Sequence, residues 1–228
     1  MRILILGRGK TGSVVAEVAT ERGHSVRTMT ERENVDGSAL TPPFLVQFDV
    51  VIDFTTPEAA VHNMLACLAA GAKMVVGTTG WQEHLPEVRA LVERKNGALL
   101  YGTNFSAGVQ MFFRMARELA RAVSGKADYR LEISETHHAS KLDAPSGTAK
   151  TLQKLLAEDG VKVEIESHRT GDAVGTHQLI AAGENDRIVV EHQSLSRKAF
   201  AEGAVRGAEW LVERTGVYDF QDVFAQLK

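Results

Sequence analysis

The chain contains a single cysteine, Cys67, in 228 residues. That excludes an internal disulfide and a cysteine-built metal cluster, and gives no reason to place the protein in an oxidising compartment. The surrounding "NMLACLAAG" reads as a buried helix face, so the thiol reads as core filler rather than a reactive group. Long hydrophobic runs are missing too. No stretch approaches the run of about 18 apolar residues that a membrane span requires. The apolar run in "MRILILGRGKTG" breaks at a glycine turn, too early for a secretory leader. An excess of one charge is also lacking: 26 basic and 29 acidic residues leave a net charge of -3. No global positive field exists to recruit nucleic acid. What remains is 44% hydrophobic and 24% charged, an ordinary globular composition, long enough for one large domain or two modest ones. The expectation is a cytoplasmic enzyme with neither membrane nor nucleic-acid partners.

The first hundred residues alternate short β-branched runs with helical patterns, the signature of βαβ units around a doubly wound parallel sheet of the Rossmann type. "RILIL" (2–6), "SVRTM" (25–29), "DVVID" (49–53), "KMVVG" (73–77) and "ALLYG" (98–102) read as strands. They lack strict alternation because helices are expected to cover both faces. "TGSVVAEVATERG" and "PEAAVHNMLACLAAG" read as helices closed by Gly23 and Gly71, the second opened by Thr56 as N-cap with Pro57 in its first turn. After "GTNFSAGVQ" the texture changes. A helix ("MFFRMARELARAV"), a strand ("DYRLEISET"), another helix ("TAKTLQKLLAED") and several strand-like runs read as a second α/β, substrate-binding domain. The expected division is a dinucleotide-binding domain over 1–106, a substrate and oligomerisation domain over 107–197, and a segment over 198–228 returning to the first domain. No internal repeat or low-complexity linker interrupts it.

Gly7-Arg8-Gly9-Lys10-Thr11-Gly12 follows a strand and opens a helix, the context in which G-x-G-x-x-G signals dinucleotide binding rather than a chance glycine turn. The glycines permit a tight turn, close backbone approach to a pyrophosphate and close helix–strand packing, while the helix start presents amides to the anion. Arg8 and Lys10 add positive charge there, or are simply solvated. Glu31, at the end of the second strand, is placed to accept hydrogen bonds from an adenosine ribose, with Arg32 beside it to meet a 2′-phosphate. Together these favour a nicotinamide cofactor, NADH or NADPH, over a flavin. "GTTG" (Gly77, Thr78, Thr79) and "GTNFS" (Gly102, Thr103, Asn104, Phe105) follow the fourth and fifth strands at the carboxyl edge, as ligand contacts or as turn caps.

"ETHHASKLDAPSGTA" (135–149) sets His137 and His138 at a strand end, pointing to opposite sides, with Lys141 close behind. Ser146 reads as the N-cap of a helix whose first amides, at Gly147 and Thr148, suit a carboxylate. Cations beside such a helix start describe a site for a small polyanion that also needs a proton. A zinc site competes for the histidine pair, but its other usual ligands are not nearby in sequence, so no metal is expected.

This block, with "GTTG", "GTNFSAGV" and the tail "FAEGAVRGAEWLVERTGVYDFQDVF", closely resembles the dihydrodipicolinate reductase (4-hydroxy-tetrahydrodipicolinate reductase) family of the diaminopimelate route to lysine, over most of the chain. The resemblance implies NAD(P)H-dependent reduction of a cyclic imine dicarboxylate to tetrahydrodipicolinate. It implies His137 as proton donor or acceptor and Lys141 as proton donor, with His138, Gly147 and Thr148, beside the capping Ser146, on the substrate carboxylates. It also implies cofactor contacts from Gly7 through Gly12, Glu31, Arg32, Gly77 to Thr79 and Gly102 to Phe105. A homo-oligomer is implied, a tetramer being usual in the family. Two departures stand out: the glycine loop is a residue tighter than the family's, and the 30–48 and 170–195 regions are shortened, the latter where subunit contacts are expected. Another Rossmann reductase of an amino-acid imine, or a non-catalytic dinucleotide sensor, are the rival readings.

Overall fold

The computed structural model describes residues 1–227, which divide into two compact units. One is Met1–Ser106 with the segment from Lys198 onward, the other Ala107–Arg197. The chain begins with β1 (Arg2–Leu6), α1 (Lys10–Glu21), β2 (Ser25–Met29), α2 (Pro42–Leu45), β3 (Val50–Asp53), α3 (Pro57–Ala69), β4 (Lys73–Val76), α4 (Leu85–Lys95) and β5 (Ala98–Tyr101). It continues with α5 (Ala107–Val123), β6 (Arg130–His137), α6 (Gly147–Glu158), β7 (Glu164–Arg169), β8 (Thr176–Ala182) and β9 (Arg187–Gln193). The last stretch forms α7 (Lys198–Leu211), β10 (Gly216–Asp219) and the short α8 (Phe220–Val223).

In the first unit a parallel six-stranded sheet runs β10-β5-β4-β3-β1-β2. Successive side chains of a strand face opposite sides, and both sides here are covered. Ile3 and Ile5 pack with Val15 and Val18 of α1 and Ala204 and Ala208 of α7. Leu4 and Leu6 pack with Met64 and Leu68 of α3 and Val88 and Leu91 of α4. Each such side chain, once fully buried, contributes about 1.5–3 kcal/mol of transfer free energy, so the strands read as unbroken apolar runs. Thr56 caps α3 by accepting from the Ala59 amide at 3.4 Å, and Gly23 and Gly71 take positive φ after α1 and α3. Because all the strands run parallel, the loops after β1 to β5 emerge along one edge.

The tail departs from expectation. The tail "AEGAVRGAEWLVERTG" has helical periodicity, but α7 stops at Leu211 and "GVYD" becomes β10, which pairs with β5 from Gly216↔Ala98 to Asp219↔Tyr101. Strand pairing at an open sheet edge outweighs the weak local signal of four residues.

In the second unit β6 pairs parallel with β7 and antiparallel with β8, and β9 closes the order β7-β6-β8-β9. Helices α5 and α6 supply Val109, Phe112, Phe113, Leu152 and Leu156 to a core with Ile133 and Leu179 of the sheet. Helix α5 starts at Ala107, earlier than the Met111 expected, because Val109, Phe112, Phe113 and Ala116 extend its buried stripe.

Candidate active site

In the first unit a cleft of about 360 Å³ is lined by Gly7, Arg8 and Gly9 after β1, Thr30 and Glu31 after β2, and Thr55 after β3, among others. Gly9 is the N-cap of α1 and has no side chain to satisfy the helix's first amides, so these amides are available to an anion at that end. An added Cβ at Gly9 would meet nothing within 4 Å, whereas one at Gly7, whose φ is +97°, would stand 2.3 Å from the Phe54 carbonyl oxygen. A tight turn with one open glycine at a helix start suits a dinucleotide pyrophosphate. Lys10, Thr11 and Gly12 continue into α1. Glu31 and Arg32 share an exposed 3₁₀ turn, fixed by Glu33, whose carboxylate accepts from the Thr30 amide at 2.8 Å and hydroxyl at 2.7 Å.

Gly77–Thr79 and Gly102–Phe105 follow β4 and β5 at the same sheet edge. Thr78 is buried and donates to Asp53 Oδ1 at 2.8 Å, while Asn104 Oδ1 accepts from the Ser106 amide at 2.9 Å. The Phe105 ring sits in the core, 4.5 Å from the Phe220 ring. Its side chain is therefore structural, which leaves its loop's backbone for a ligand. Asn34 and Asn63, which also line the cleft, begin a polar chain: Asn34 Nδ2 donates to Asn63 Oδ1 at 2.8 Å, and Asn63 Nδ2 to Asp53 Oδ2 at 2.7 Å. Burial pushes the Asp53 carboxyl above its ordinary range, against these hydrogen bonds and those from Thr55 and Thr78.

The second unit builds the other constellation through strand register. Along β6, Glu135 and His137 share a face, and both are buried. Pairing sets Arg169 of β7 beside His137 and His177 of β8 beside Glu135. Arg169 Nη1 and Nη2 donate to Glu135 Oε2 and Oε1 at 3.1 and 2.9 Å, and the Ser146 amide donates to Oε1 at 3.2 Å. His137 Nδ1 meets Glu135 Oε2. Arg169 Nη2 also donates to the Asp143 carbonyl at 2.6 Å, which ties β7 to the loop preceding α6.

Strand β6 ends at His137, so the two histidines are not consecutive strand residues as expected. His138 lies beyond it, with Nδ1 2.9 Å from Ser140 Oγ. Lys141 Nζ donates to Asp143 Oδ1 at 2.6 Å. Ser146 does cap α6, its hydroxyl accepting from the Ala149 amide at 3.2 Å. The same hydroxyl lies 3.1 Å from His177 Nε2, so Ser146 faces inward and organises the turn. Gly147 is exposed at the head of the helix and Thr148 is buried.

Burial pushes Glu135 upward, but hydrogen bonds led by Arg169 outweigh it and hold its carboxyl at about 2, leaving it ionised at neutral pH. His137 is lowered, by burial first and then by the Lys141 and Arg169 charges, while Glu135 opposes the shift. His177 is pushed down to about 3 by burial and by His137, so it is neutral. One anion, one titratable imidazole and one neutral imidazole make a centre suited to moving a proton.

Ligand atoms of Glu135, His137 and His177 lie within 4.8 Å of one another, close enough to hold a metal ion. Arg169, however, already donates to both Glu135 oxygens, and a cation there would have to displace a guanidinium; the donor set fits proton handling better. Glu135, Arg169 and His177 escape the sequence reading. Glu135 is signalled by standing two residues before His137 on the same strand face, but the other two become visible only through register.

Residues 1–105 match the family model described as dihydrodipicolinate reductase, N-terminus, and residues 108–224 the model for its C-terminus. The 4-hydroxy-tetrahydrodipicolinate reductase of Christiangramia forsetii is 33% identical over 240 residues, covering 100% of this chain and 99% of the relative. That of Methanoculleus marisnigri is 41% identical over 192 residues, covering 77% of this chain and 75% of the relative. Among solved structures, a dipicolinate-bound dihydrodipicolinate reductase from Paenisporosarcina has the same fold, with a TM-score of 0.75 at 24% identity over 98% of this chain and 99% of that one.

Proposed function

The chain belongs to the dihydrodipicolinate reductase family, and on that premise we propose how its residues carry out the NAD(P)H-dependent reduction of a dihydrodipicolinate-type cyclic imine dicarboxylate to tetrahydrodipicolinate, a step of diaminopimelate and lysine biosynthesis. The labour divides between the two units. In the first, the turn from Gly7 to Gly12 and the start of α1 hold the pyrophosphate, Glu31 and Arg32 meet the adenosine ribose, and the backbones of Gly77–Thr79 and Gly102–Phe105 line the rest of the cofactor's path. When bound, the reduced nicotinamide supplies a hydride.

The second unit holds the dicarboxylate and moves the proton. The head of α6, exposed at Gly147, offers the amides of Gly147 and Thr148 and the positive end of a helix to one carboxylate, and His138 and Lys141 add donors beside it. Hydride addition to a conjugated imine leaves an electron pair that a positioned acid must protonate. His137 or Lys141 supplies that proton. The observation that carries this reading is the pairing of a buried, carboxylate-bound His137 with the capped start of α6, joined through the Ser146 amide on Glu135. A dinucleotide sensor would have no use for such a proton centre.

A homo-oligomer would cover Val189, which is 41% exposed on the edge strand β9. Light scattering tests this. No described helix is long and apolar enough to cross a membrane, and the buried free thiol of Cys67 fits the reducing cytoplasm.

The test of function is NADH or NADPH oxidation by the purified protein, with the product of dihydrodipicolinate synthase generated in the cuvette. Oxidation dependent on that product supports the reading. Its absence with both cofactors, in protein shown to bind either of them, overturns it.

A further inference from the structure

We propose that Glu135 is a positioning residue for the proton donor: clamped by Arg169 and by the Ser146 amide, its carboxylate holds His137 through Nδ1 and leaves Nε2 as the nitrogen that exchanges the proton. The proposal rests on His137 being the proton-handling group of the reductase, and it adds a buried residue that acts through His137.

Geometry carries it. The Glu135 side chain is fully buried and that of Arg169 is 19% exposed. An ion pair taken this far from water is a poor source of stability, because desolvation offsets most of its attraction. Its effect is orientation instead. Glu135 Oε1 receives Arg169 Nη2 and the Ser146 amide, so the carboxylate cannot rotate without losing both. Oε2 receives Arg169 Nη1 and faces His137 Nδ1. A carboxylate accepts only, so in the neutral imidazole Nδ1 must carry the hydrogen and Nε2 is the free base. Nδ1 cannot serve as the donor to the substrate while it is held in this way.

The charges around His137 make the carboxylate necessary. Lys141 follows on the loop after β6, Arg169 faces it from β7 and His177 from β8, 5.1 Å between ring centroids. The first two are cations, and burial itself opposes a charged imidazole. Glu135 is the strong opposing influence, with Asp143 engaged by Lys141. Without Glu135, burial and these cations would push His137 still further toward its neutral form. The arrangement by which a buried aspartate orients the histidine of a serine protease works on the same principle.

The experiment compares wild type with Glu135→Gln and Glu135→Asp in kcat, KM and pH profile, with His137→Ala and the double variant completing a cycle. Glu135→Gln should lower kcat by about a hundredfold or more, within the range known for loss of such an orienting carboxylate. KM for the dicarboxylate should stay within about threefold, since only the step needing the proton is affected. The limb of the profile reporting His137 should move to lower pH, and Glu135→Asp should recover part of both. In the His137→Ala background, Glu135→Gln should add no further loss. Unchanged kcat and an unmoved limb in Glu135→Gln would overturn the proposal, as would an additive loss in the double variant. If Glu135→Gln does not fold, ¹⁵N resonances of the wild-type histidines decide: a neutral His137 protonated on Nδ1 supports the proposal, and one protonated on Nε2 overturns it. Failure of the functional reading is distinct, since it would show as a wild-type protein without turnover while the tautomer remained measurable.

Discussion

The carbonyl oxygen of Gly7 occupies the place where a side chain at Gly12 would begin: a Cβ on Gly12 would stand 2.2 Å from it. The first turn of α1 thus lies directly on the glycine loop, and the two cannot move apart without opening the cleft that Gly7 and Gly9 line. Gly12→Ala should destabilise the protein by about 1–3 kcal/mol, as overpacking against backbone does, and should weaken NADH binding by tenfold or more. Gly9→Ala makes the contrast. Position 9 has open space and an ordinary negative φ, so its melting temperature should match wild type while NADH affinity falls, because the methyl occupies the room left for phosphate. Calorimetry and cofactor titration of both variants check this.

With Glu31 and Arg32 assigned to the adenosine ribose as proposed, cofactor choice should turn on the 3₁₀ turn that carries them. A carboxylate that accepts ribose hydroxyls repels a 2′-phosphate, while a guanidinium grips it through two charge-assisted hydrogen bonds. With both present, the two cofactors should differ in kcat/KM by less than about a hundredfold, or about 2.7 kcal/mol at 1.36 kcal/mol per decade. Arg32→Ala should raise KM for NADPH more than for NADH, and added salt should weaken NADPH binding first. Equal effects on both cofactors would remove Arg32 from phosphate recognition.

Asn63 couples two stretches of the cofactor rim, since it accepts from Asn34 behind the Glu31 turn and donates to Asp53, which also holds Thr55 and Thr78. Asn63→Leu leaves a buried Asp53 and a buried Asn34 each short of a partner, at a cost of about 1–3 kcal/mol for an unsatisfied group. Denaturant unfolding should show that loss. NADH affinity should fall as well, since Asn63 and Asn34 both line the cleft.

Acid should destabilise the second unit in a window set by His177. Its ordinary value of 6.5 falls to about 3 in the fold, so as pH drops from 6.5 the unfolded chain binds a proton that the folded chain refuses. Stability is therefore full above 6.5 and is lost progressively down to about 3. His137 shifts in the same direction, and Glu135, held at about 2, adds its loss only at lower pH, below its ordinary 4.5. His177→Gln should flatten the fall of melting temperature between pH 6.5 and 4.5, where most carboxylates do not yet titrate. An unchanged slope would place His177 in water.

Much of this architecture is readable in the chain itself. Strands such as "RILIL" and "VVID" announce a sheet covered on both faces because residues 3–6 and 50–52 are unbroken apolar runs, and Ser146-Gly147-Thr148 announces a helix start through the hydroxyl that caps it. Strand β10 is unreadable because "GVYD" has neither length nor alternation, and its identity comes from the free edge of β5. The proton centre is half readable. Parity along β6 puts Glu135 on the face of His137, but no local signal tells which residue of a later strand stands opposite. Arg169 and His177 therefore emerge only from the register of β7 and β8.

The most direct measurement is single-turnover and steady-state kinetics of His137→Ala and Lys141→Ala beside NADH titration of the same proteins. With the proton handled in the second unit and the cofactor held in the first, each variant should lose about a hundredfold or more in kcat, in the range of general acid catalysis. Its NADH dissociation constant should stay within about threefold of wild type, and His138→Ala should chiefly raise KM for the dicarboxylate. Wild-type turnover in either variant, or cofactor affinity falling in step with kcat, would contradict the assignment of the proton to this centre.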